Sequence, residues 1–372
     1  MSDGCVADSQ DADNTTYLWL NLAIQIQMIL ILCYALVRCV ICPLLGRDDG
    51  SARPTAEQVA KNTAALLERA ATKKIERAAM IQSKLKALAA PLDALTDAAF
   101  LTAPANELFR QCVAAQTLCP FAKKSVVWAD PVPMSAGGDA DDLEAEALAA
   151  VPALARWSLL AQEQKLDGFV FARQLPRDRF VGGTTSKPTR EQIESGDVLV
   201  YNLAAWLRCT LHALSLQDPG GNGRSTIVQE SEHQLDGQPT GHRGWRFQFG
   251  DDKFFITTFT PAYAPDHPRH AVGDTSFILF QPDFSFSLHH DIGPDHPRMP
   301  ADAPPETWSV RERVRRRFTA AHRTYYVPNA HSFPQAILYV PHRDAKLAEE
   351  GWHWRWWLPE PTLGCVENQK KR

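Results

Sequence analysis

Two apolar runs with a proline-rich loop between them constrain the fold of this chain more than any other feature. Residues 254–259 and 276–281 are largely apolar at odd and even positions alike. This pattern is typical of central strands that are covered on both faces of a sheet. The loop between the runs carries His267, Pro268 and His270. Because a strand holds each end of the loop, its imidazoles are predicted to be fixed well enough to bind a metal ion.

The order of the other predicted elements favours an α+β fold. Residues 56–90 have apolar side chains at helical spacing, which predicts an amphipathic helix or a pair of helices. Further predicted helices cover residues 105–118, 143–164, 190–214 and 307–322. Further predicted strands cover residues 168–172, 245–249 and 335–340. Helices therefore precede a mostly antiparallel sheet that other helices flank.

Charge and cysteine usage narrow the classes of function. The net charge of −4 gives no reason to expect a nucleic-acid partner. The eight cysteines are scattered or lie in or beside an apolar N-terminal run, rather than forming a disulfide framework. That usage is typical of a reducing compartment.

An uncharged N-terminal run predicts a membrane-spanning helix. Residues 17–37 carry no formal charge, and their length matches a helix that crosses the hydrocarbon core. A buried helix of a globular domain is the alternative. Acidic residues precede the run, and Arg38 and Arg47 follow it, so a single-pass topology with a cytosolic C-terminal domain is expected. The predicted organisation is a short lumenal or extracellular tail over 1–16, a transmembrane helix over 17–42, a helical stalk over 48–104 and a globular domain over 105–372.

Several short motifs together resemble the YqcI/YcgG family. They are Cys119-Pro120-Phe121-Ala122, Trp206-Leu207, the strand at 254–257, the histidine loop and the run Phe-Ile-Leu-Phe-Gln-Pro at 277–282. The resemblance spans about Cys112 to Tyr339 and excludes the first hundred residues. Some members of this family are haem-dependent N-hydroxylases that act on guanidine or amine groups of amino-acid-derived substrates.

The resemblance implies a monooxygenase that binds haem b, O2 and a small-molecule substrate, and the uncharged N-terminal run would anchor it to a membrane. The chain has no flavin or nicotinamide fingerprint, so the electron donor is expected to be a separate protein. Two alternatives without turnover remain open. One is a haem- or iron-binding module, and the other is a structural adaptor.

The resemblance gives the histidine loop and the Cys-Pro segment roles as haem-binding sites. His267 is the first choice as axial iron ligand, with His270 second and the Cys119 thiolate as competitor. Lys123 and Lys124 would lower the pKa of the Cys119 thiol and could bind the haem propionates. The alternatives are a surface histidine, a buried structural cysteine and a solvated pair of lysines.

Three further clusters have weaker signals. His289, His290 and His296 with Asp291 and Asp295 form a possible non-haem iron site, or a polar loop. A basic helix could bind propionates or anionic lipid, or present a solvated face; its cations are Arg311, Arg313, Arg315, Arg316, Arg317 and Arg323. The tryptophans from Trp352 to Trp357 could line a pocket or pack in the core.

Overall fold

The chain divides into two compact units, residues 1–73 and residues 74–372. The computed structural model describes residues 56–118, 123–132, 140–181, 187–221, 246–288, 302–323, 335–358 and 360–365. In the first unit this part is residues 56–73, which belong to the long helix α1 (Ala56–Ala89) that the apolar spacing predicts. Leu66 and Leu67 are mostly exposed there.

A five-stranded sheet organises the second unit. The strands are β1 (Val127–Ala129), β2 (Gly168–Gln174), β3 (Phe247–Phe249), β4 (Asp252–Phe259) and β5 (Thr275–Pro282). Their order across the sheet is β1-β2-β5-β4-β3. The first pair is parallel and the other pairs are antiparallel. The fold is therefore α+β, and its sheet is mixed.

Strand β5 lies at the centre, and both of its faces are buried. Ile278 is opposite Phe171 on one side and Thr258 on the other. Its side chain contributes to the larger core, whereas the neighbouring Phe277 and Leu279 contribute to a second core on the other face of the sheet. Successive side chains of a strand point to opposite faces, so burial on both faces explains the continuous apolar runs in the sequence.

Helices cover the two faces of the sheet. The remaining helices are α2 (Asp97–Leu101), α3 (Pro104–Phe109), α4 (Ala140–Ala149), α5 (Val151–Leu160), α6 (Arg190–Ser195), α7 (Asp197–Leu216), α8 (Asp283–Leu288), α9 (Val310–Ala320) and α10 (Ala345–Glu349). Trp157 of α5 and Trp206 of α7 are buried in the larger core. Phe109 of α3 and Val113 of the π-helical turn Arg110–Ala114 are buried in the second core.

The predicted helix over residues 190–214 is two helices. Gly196 has a φ of +79° and ends α6, because glycine adopts the left-handed region without a steric cost. Thr189 and Gln192 form a reciprocal capping box at the start of α6.

The strand predicted over residues 335–340 is wrong: Gln335–Tyr339 form a 3₁₀ helix. The Leu338 and Tyr339 carbonyls accept hydrogen bonds from the side chain of Arg269, and the Tyr339 carbonyl also accepts one from Thr258. A second, two-stranded sheet follows, formed by Trp352–Trp354 and Leu363–Cys365.

The membrane topology is corrected. No helix in the part of the chain that the structure describes is long and apolar enough to cross a membrane. The run over 17–37 that suggested such a helix lies outside the described residues. This finding contradicts the single-pass topology and the cytosolic placement that the sequence predicts.

Candidate functional site

The structure describes four of the five residues predicted to bind haem. His267 and His270 lie in the turn between β4 and β5, and Lys123 and Lys124 are exposed just before β1. Cys119 lies outside the described residues, as do the histidines and aspartates of the cluster over 289–296.

His267 is enclosed by the turn that carries it. Its side chain is 0% exposed. Its backbone N–H donates to the Ala264 carbonyl at 2.8 Å, and Arg323 donates to its carbonyl oxygen at 3.1 Å. The imidazole lies against the Tyr263 ring, with the ring centroids 4.5 Å apart. The two strands therefore hold this loop in place, as the sequence predicts, but they hold the imidazole inside the protein.

The hydrogen bond at Nδ1 fixes the tautomer of His267. The backbone N–H of Arg269 donates to Nδ1 at 3.0 Å, so Nδ1 provides the lone pair and the proton is on Nε2. Nε2 is buried and has no hydrogen-bond partner among the described residues. Burial holds the pKa of His267 well below its ordinary value, and the nearby Arg269, His270, Arg323 and His342 lower it further. His267 is thus a neutral, buried imidazole.

This arrangement does not fit an axial haem ligand. Iron needs a free lone pair on an accessible nitrogen. In His267 the Nδ1 lone pair accepts a backbone hydrogen bond, and Nε2 carries the proton in a fully enclosed position. Its contacts are those of a structural residue that packs the turn.

The low pKa of His267 predicts acid sensitivity. The unfolded chain takes up a proton near the ordinary pKa of 6.5, whereas the folded chain does not. Proton uptake by the unfolded chain therefore lowers the stability of the folded protein as the pH falls below about 6.5. The free energy of unfolding decreases by up to roughly 1.4 kcal/mol per pH unit. We expect His267→Phe to remove this part of the pH dependence, measured as the free energy of unfolding in urea between about pH 7 and pH 5.

His353 and Asp252 also make stability depend on pH, so the contribution of His267 is measured as the difference between wild type and His267→Phe at each pH. Burial lowers the pKa of His353 to about 4, which acts in the same direction. Burial raises the pKa of Asp252 to about 6, which instead adds stability as the pH falls. Both groups remain in the variant. A constant difference in stability between wild type and His267→Phe at every pH would contradict the assignment.

His270 has the opposite hydrogen-bond arrangement. Its Nδ1 lies 2.7 Å from the Tyr263 carbonyl oxygen, which can only accept, so Nδ1 carries the proton. The Nε2 lone pair is then free, and the side chain is half-buried. A metal-binding histidine commonly has its second ring nitrogen bonded to a carbonyl in this way. Of the two histidines, His270 is the one whose geometry suits a metal ion.

A cleft lies between α3, the π-helical turn and β1. It encloses about 530 Å³, and buried Asn106, Phe109 and Val127 form its floor. Its exposed rim includes Arg110, Lys123 and Lys124. The Phe109 ring is held edge-on against Phe259 and Phe277 of the sheet, with centroids 5.7 and 5.6 Å away. The floor is therefore anchored in the second core.

A second cleft of about 440 Å³ shares the two lysines. Its other lining residues are Leu118, Arg317, Ala320 and Ala321. We call the two clefts together the cationic cleft. Its floor includes the buried apolar side chains of Phe109 and Val127, and four cations line it. Those cations are Arg110, Lys123, Lys124 and Arg317.

The four cations of the cleft have no salt bridge to an acidic residue in the described part of the chain. Two other arginines of α9 do have an acidic partner: Arg315 and Arg316 both pair with the buried carboxylate of Glu312. The guanidinium of Arg316 also lies 4.3 Å from the centre of the Trp308 ring. Among the described side chains of α9, Arg315 and Arg316 are thus paired within the protein, and Arg317 lines the cleft.

The histidine turn, the end of α9 and the segment after α3 are distant in sequence but contact one another next to the cationic cleft. Val272 in the histidine turn donates its N–H to the Cys112 carbonyl at 3.0 Å. Arg323, just beyond α9, donates to the Gln116 carbonyl at 3.1 Å as well as to His267. Neither His267 nor His270 lines the cationic cleft. The predicted axial ligands and the predicted propionate-binding lysines are therefore not in one cleft.

Sequence reasoning missed Arg110 and Asn106. Asn106 gives no distinct signal in the sequence, because other polar residues such as Glu107 and Gln111 lie beside it. Of the tryptophans near the C-terminus, Trp356 and Trp357 are buried in the larger core. Trp356 is 0% exposed, stacks on Tyr339 and donates to the Ala336 carbonyl at 2.7 Å.

The described residues contain no group of three or more histidine, cysteine or acidic side chains that could hold a metal ion. No family model, curated protein or solved structure matches the chain.

Proposed function

We propose that this protein binds an anionic ligand with an apolar body in the cationic cleft. The observation that supports the proposal most strongly is the set of four cations that share no described acidic partner around an apolar floor. Like charges held close together repel each other, and a bound anion relieves that repulsion. Buried Phe109 and Val127 offer the apolar body a surface away from water.

The two parts of the cleft favour a ligand with a negative group near its middle or at one end. Lys123 and Lys124 line both parts of the cleft, so an anion bound in either part lies near the same two ammonium groups. Arg110 adds positive charge to the larger part of the cleft, and Arg317 adds it to the smaller part. Guanidinium groups bind carboxylate, sulfonate and phosphate oxygens in pairs, which adds orientation to charge.

A matched pair of fluorescent probes tests this proposal. Anilinonaphthalenesulfonate has an apolar body and a sulfonate, and N-phenylnaphthylamine has the same body without charge. We expect the sulfonate to bind the native protein at least about tenfold more tightly, and its affinity to fall with rising salt. Equal affinity for the two probes, or no binding of either, would refute the proposal.

A haem-dependent N-hydroxylase is the second candidate, and it follows from the resemblance to the YqcI/YcgG family. The observation that favours it is the free Nε2 of His270 beside a fixed turn. When bound, haem b would supply the oxidising chemistry. O2, a small guanidine or amine substrate and a separate electron donor complete this proposal. In it, the residues of this chain hold the turn and orient the His270 ring.

Haem titration of two variants tests the second candidate. We expect haem to give a Soret shift with the wild-type protein and with His267→Phe, and to give none with His270→Ala. Loss of the shift in His267→Phe alone would return the ligand role to His267. The absence of a shift with folded wild-type protein would exclude haem binding.

A further inference from the structure

The two parts of the cationic cleft share their lysines but not their arginines. Lys123 and Lys124 line both parts, whereas Arg110 lines the larger part and Arg317 lines the smaller part. All four residues are exposed, so a ligand in the cleft can reach their charged groups. A single negative group bound in one part therefore leaves the arginine of the other part without an acidic partner among the described residues.

A π-helical turn places Arg110. The turn covers Arg110–Ala114, and the Ala115 N–H donates to the Arg110 carbonyl at 2.8 Å, which is the hydrogen bond of a π-helix. Ala114 and Ala115 line the larger part of the cleft together with Arg110. Val113 of the same turn is buried in the second core, so the backbone that carries Arg110 is fixed against the sheet. Single π-helical turns are rare and frequently occur at functional sites.

The last turn of α9 places Arg317. The helix ends in a Schellman motif, in which the His322 N–H donates to the Thr319 carbonyl at 3.0 Å and His322 has a φ of +53°. The next residue, Arg323, donates its backbone N–H to the Phe318 carbonyl at 2.9 Å. These bonds fix the end of the helix that lines the smaller part of the cleft.

The side chain of Arg323 connects the two segments that carry these arginines. Gln116 lies just beyond the π-helical turn, and Arg323 lies just beyond α9. The Arg323 guanidinium donates to the Gln116 carbonyl at 3.1 Å. The fold therefore holds the backbone positions of Arg110 and Arg317 at a set distance before any ligand binds. Two cations at a set distance bind a ligand of matching span with a smaller loss of conformational freedom.

We infer that the ligand of the cationic cleft carries a second negative group, so that one group binds Arg110 and the other binds Arg317. This inference rests on the proposed function, because it concerns the same ligand. Guanidinium groups bind carboxylate or phosphate oxygens in pairs, so each arginine orients one end of the ligand. A ligand with one negative group pairs with only one of the two arginines and binds less tightly.

Dicarboxylates and their monomethyl esters test the inference on the unaltered protein. Octanedioate, decanedioate, dodecanedioate and tetradecanedioate provide a range of spans, and each monomethyl ester keeps the same chain with one negative charge fewer. At the best-fitting length, we expect the diacid to bind about tenfold more tightly than its own ester, as measured by isothermal titration calorimetry.

Three matched variants separate the cleft from the overall charge. Arg110→Gln and Arg317→Gln each remove one exposed arginine of the cleft. We expect each to lower the ratio of diacid to ester affinity to about threefold or less. Arg313→Gln removes the same charge from an exposed position of α9 that does not line the cleft, and it should leave the ratio unchanged. An equal fall in all three variants would mean that the diacid responds to overall charge, and it would overturn the inference.

Two outcomes separate this inference from the proposed function. Equal affinity for diacid and ester at every length, or no binding of either, together with binding of anilinonaphthalenesulfonate, would overturn the second negative group and leave the anion-binding cleft intact. Failure of the diacids, the esters and the sulfonate to bind would overturn both proposals.

Discussion

Replacing Lys123 and Lys124 together with glutamate is expected to lower the affinity for anilinonaphthalenesulfonate by about a hundredfold, or about 2.7 kcal/mol. A charge-assisted hydrogen bond contributes roughly 1.5–3 kcal/mol when desolvated, and much less when water screens it. Each lysine is exposed, so each contributes well below that range. Reversing both charges adds repulsion toward the sulfonate, which makes up the rest. Fluorescence titration at constant salt measures the change.

Lys73 and Lys74 provide the matched control. They are also adjacent, exposed lysines, but they lie on α1 and do not line the cleft. Lys73→Glu with Lys74→Glu changes the net charge of the protein by the same amount, and we expect less than about a twofold change in affinity. Equal losses in the two double variants would mean that the probe responds to overall charge and not to the cleft.

Phe109→Ala is expected to lower the free energy of unfolding by about 3–5 kcal/mol. Phe109 is 2% exposed and contacts Phe259 and Phe277 edge-on, so truncation leaves a cavity between α3 and the sheet. The same change removes the aromatic floor of the cleft. Urea denaturation measures the loss of stability, and binding of the sulfonate should weaken in the protein that remains folded.

The preceding residue is a control on the same helix. Leu108 is 38% exposed and does not line the cleft. We expect Leu108→Ala to cost less than about 1 kcal/mol and to leave binding unchanged. If Phe109→Ala were as mild as Leu108→Ala, the packing of α3 on the sheet would be contradicted.

The central strands could be predicted from the sequence because burial on both faces requires apolar residues at consecutive positions, which is a local pattern. Residues 254–259 and 276–281 form the core of β4 and β5. The run at 335–340 has similar apolar character, yet it forms a 3₁₀ helix, because a short apolar run does not distinguish a buried strand from a buried helical turn. Its carbonyls bond to side chains of Thr258 and Arg269, and a local pattern cannot reveal such contacts.

The candidate site was only partly predictable for the same reason. Lys123 and Lys124 are adjacent in sequence, and their role in binding an anion could be proposed from the sequence. Arg317 joins them from a helix almost two hundred residues away, and Arg110 joins them from a π-helical turn whose geometry has no sequence signature. The histidine loop was found, but which ring nitrogen of His267 carries the proton depends on a backbone N–H two residues further on.

Methyl NMR of the native protein with labelled alanines tests the central claim most directly. Ala114, Ala115, Ala320 and Ala321 line the cationic cleft, whereas Ala153 and Ala204 are buried in the larger core on the other face of the sheet. On titration with anilinonaphthalenesulfonate, we expect saturable shifts in the four cleft methyl groups with one dissociation constant. In the Lys123→Glu, Lys124→Glu double variant, the same shifts should require about a hundredfold more probe. Shifts confined to other alanines, or unchanged in the double variant, would contradict the central claim.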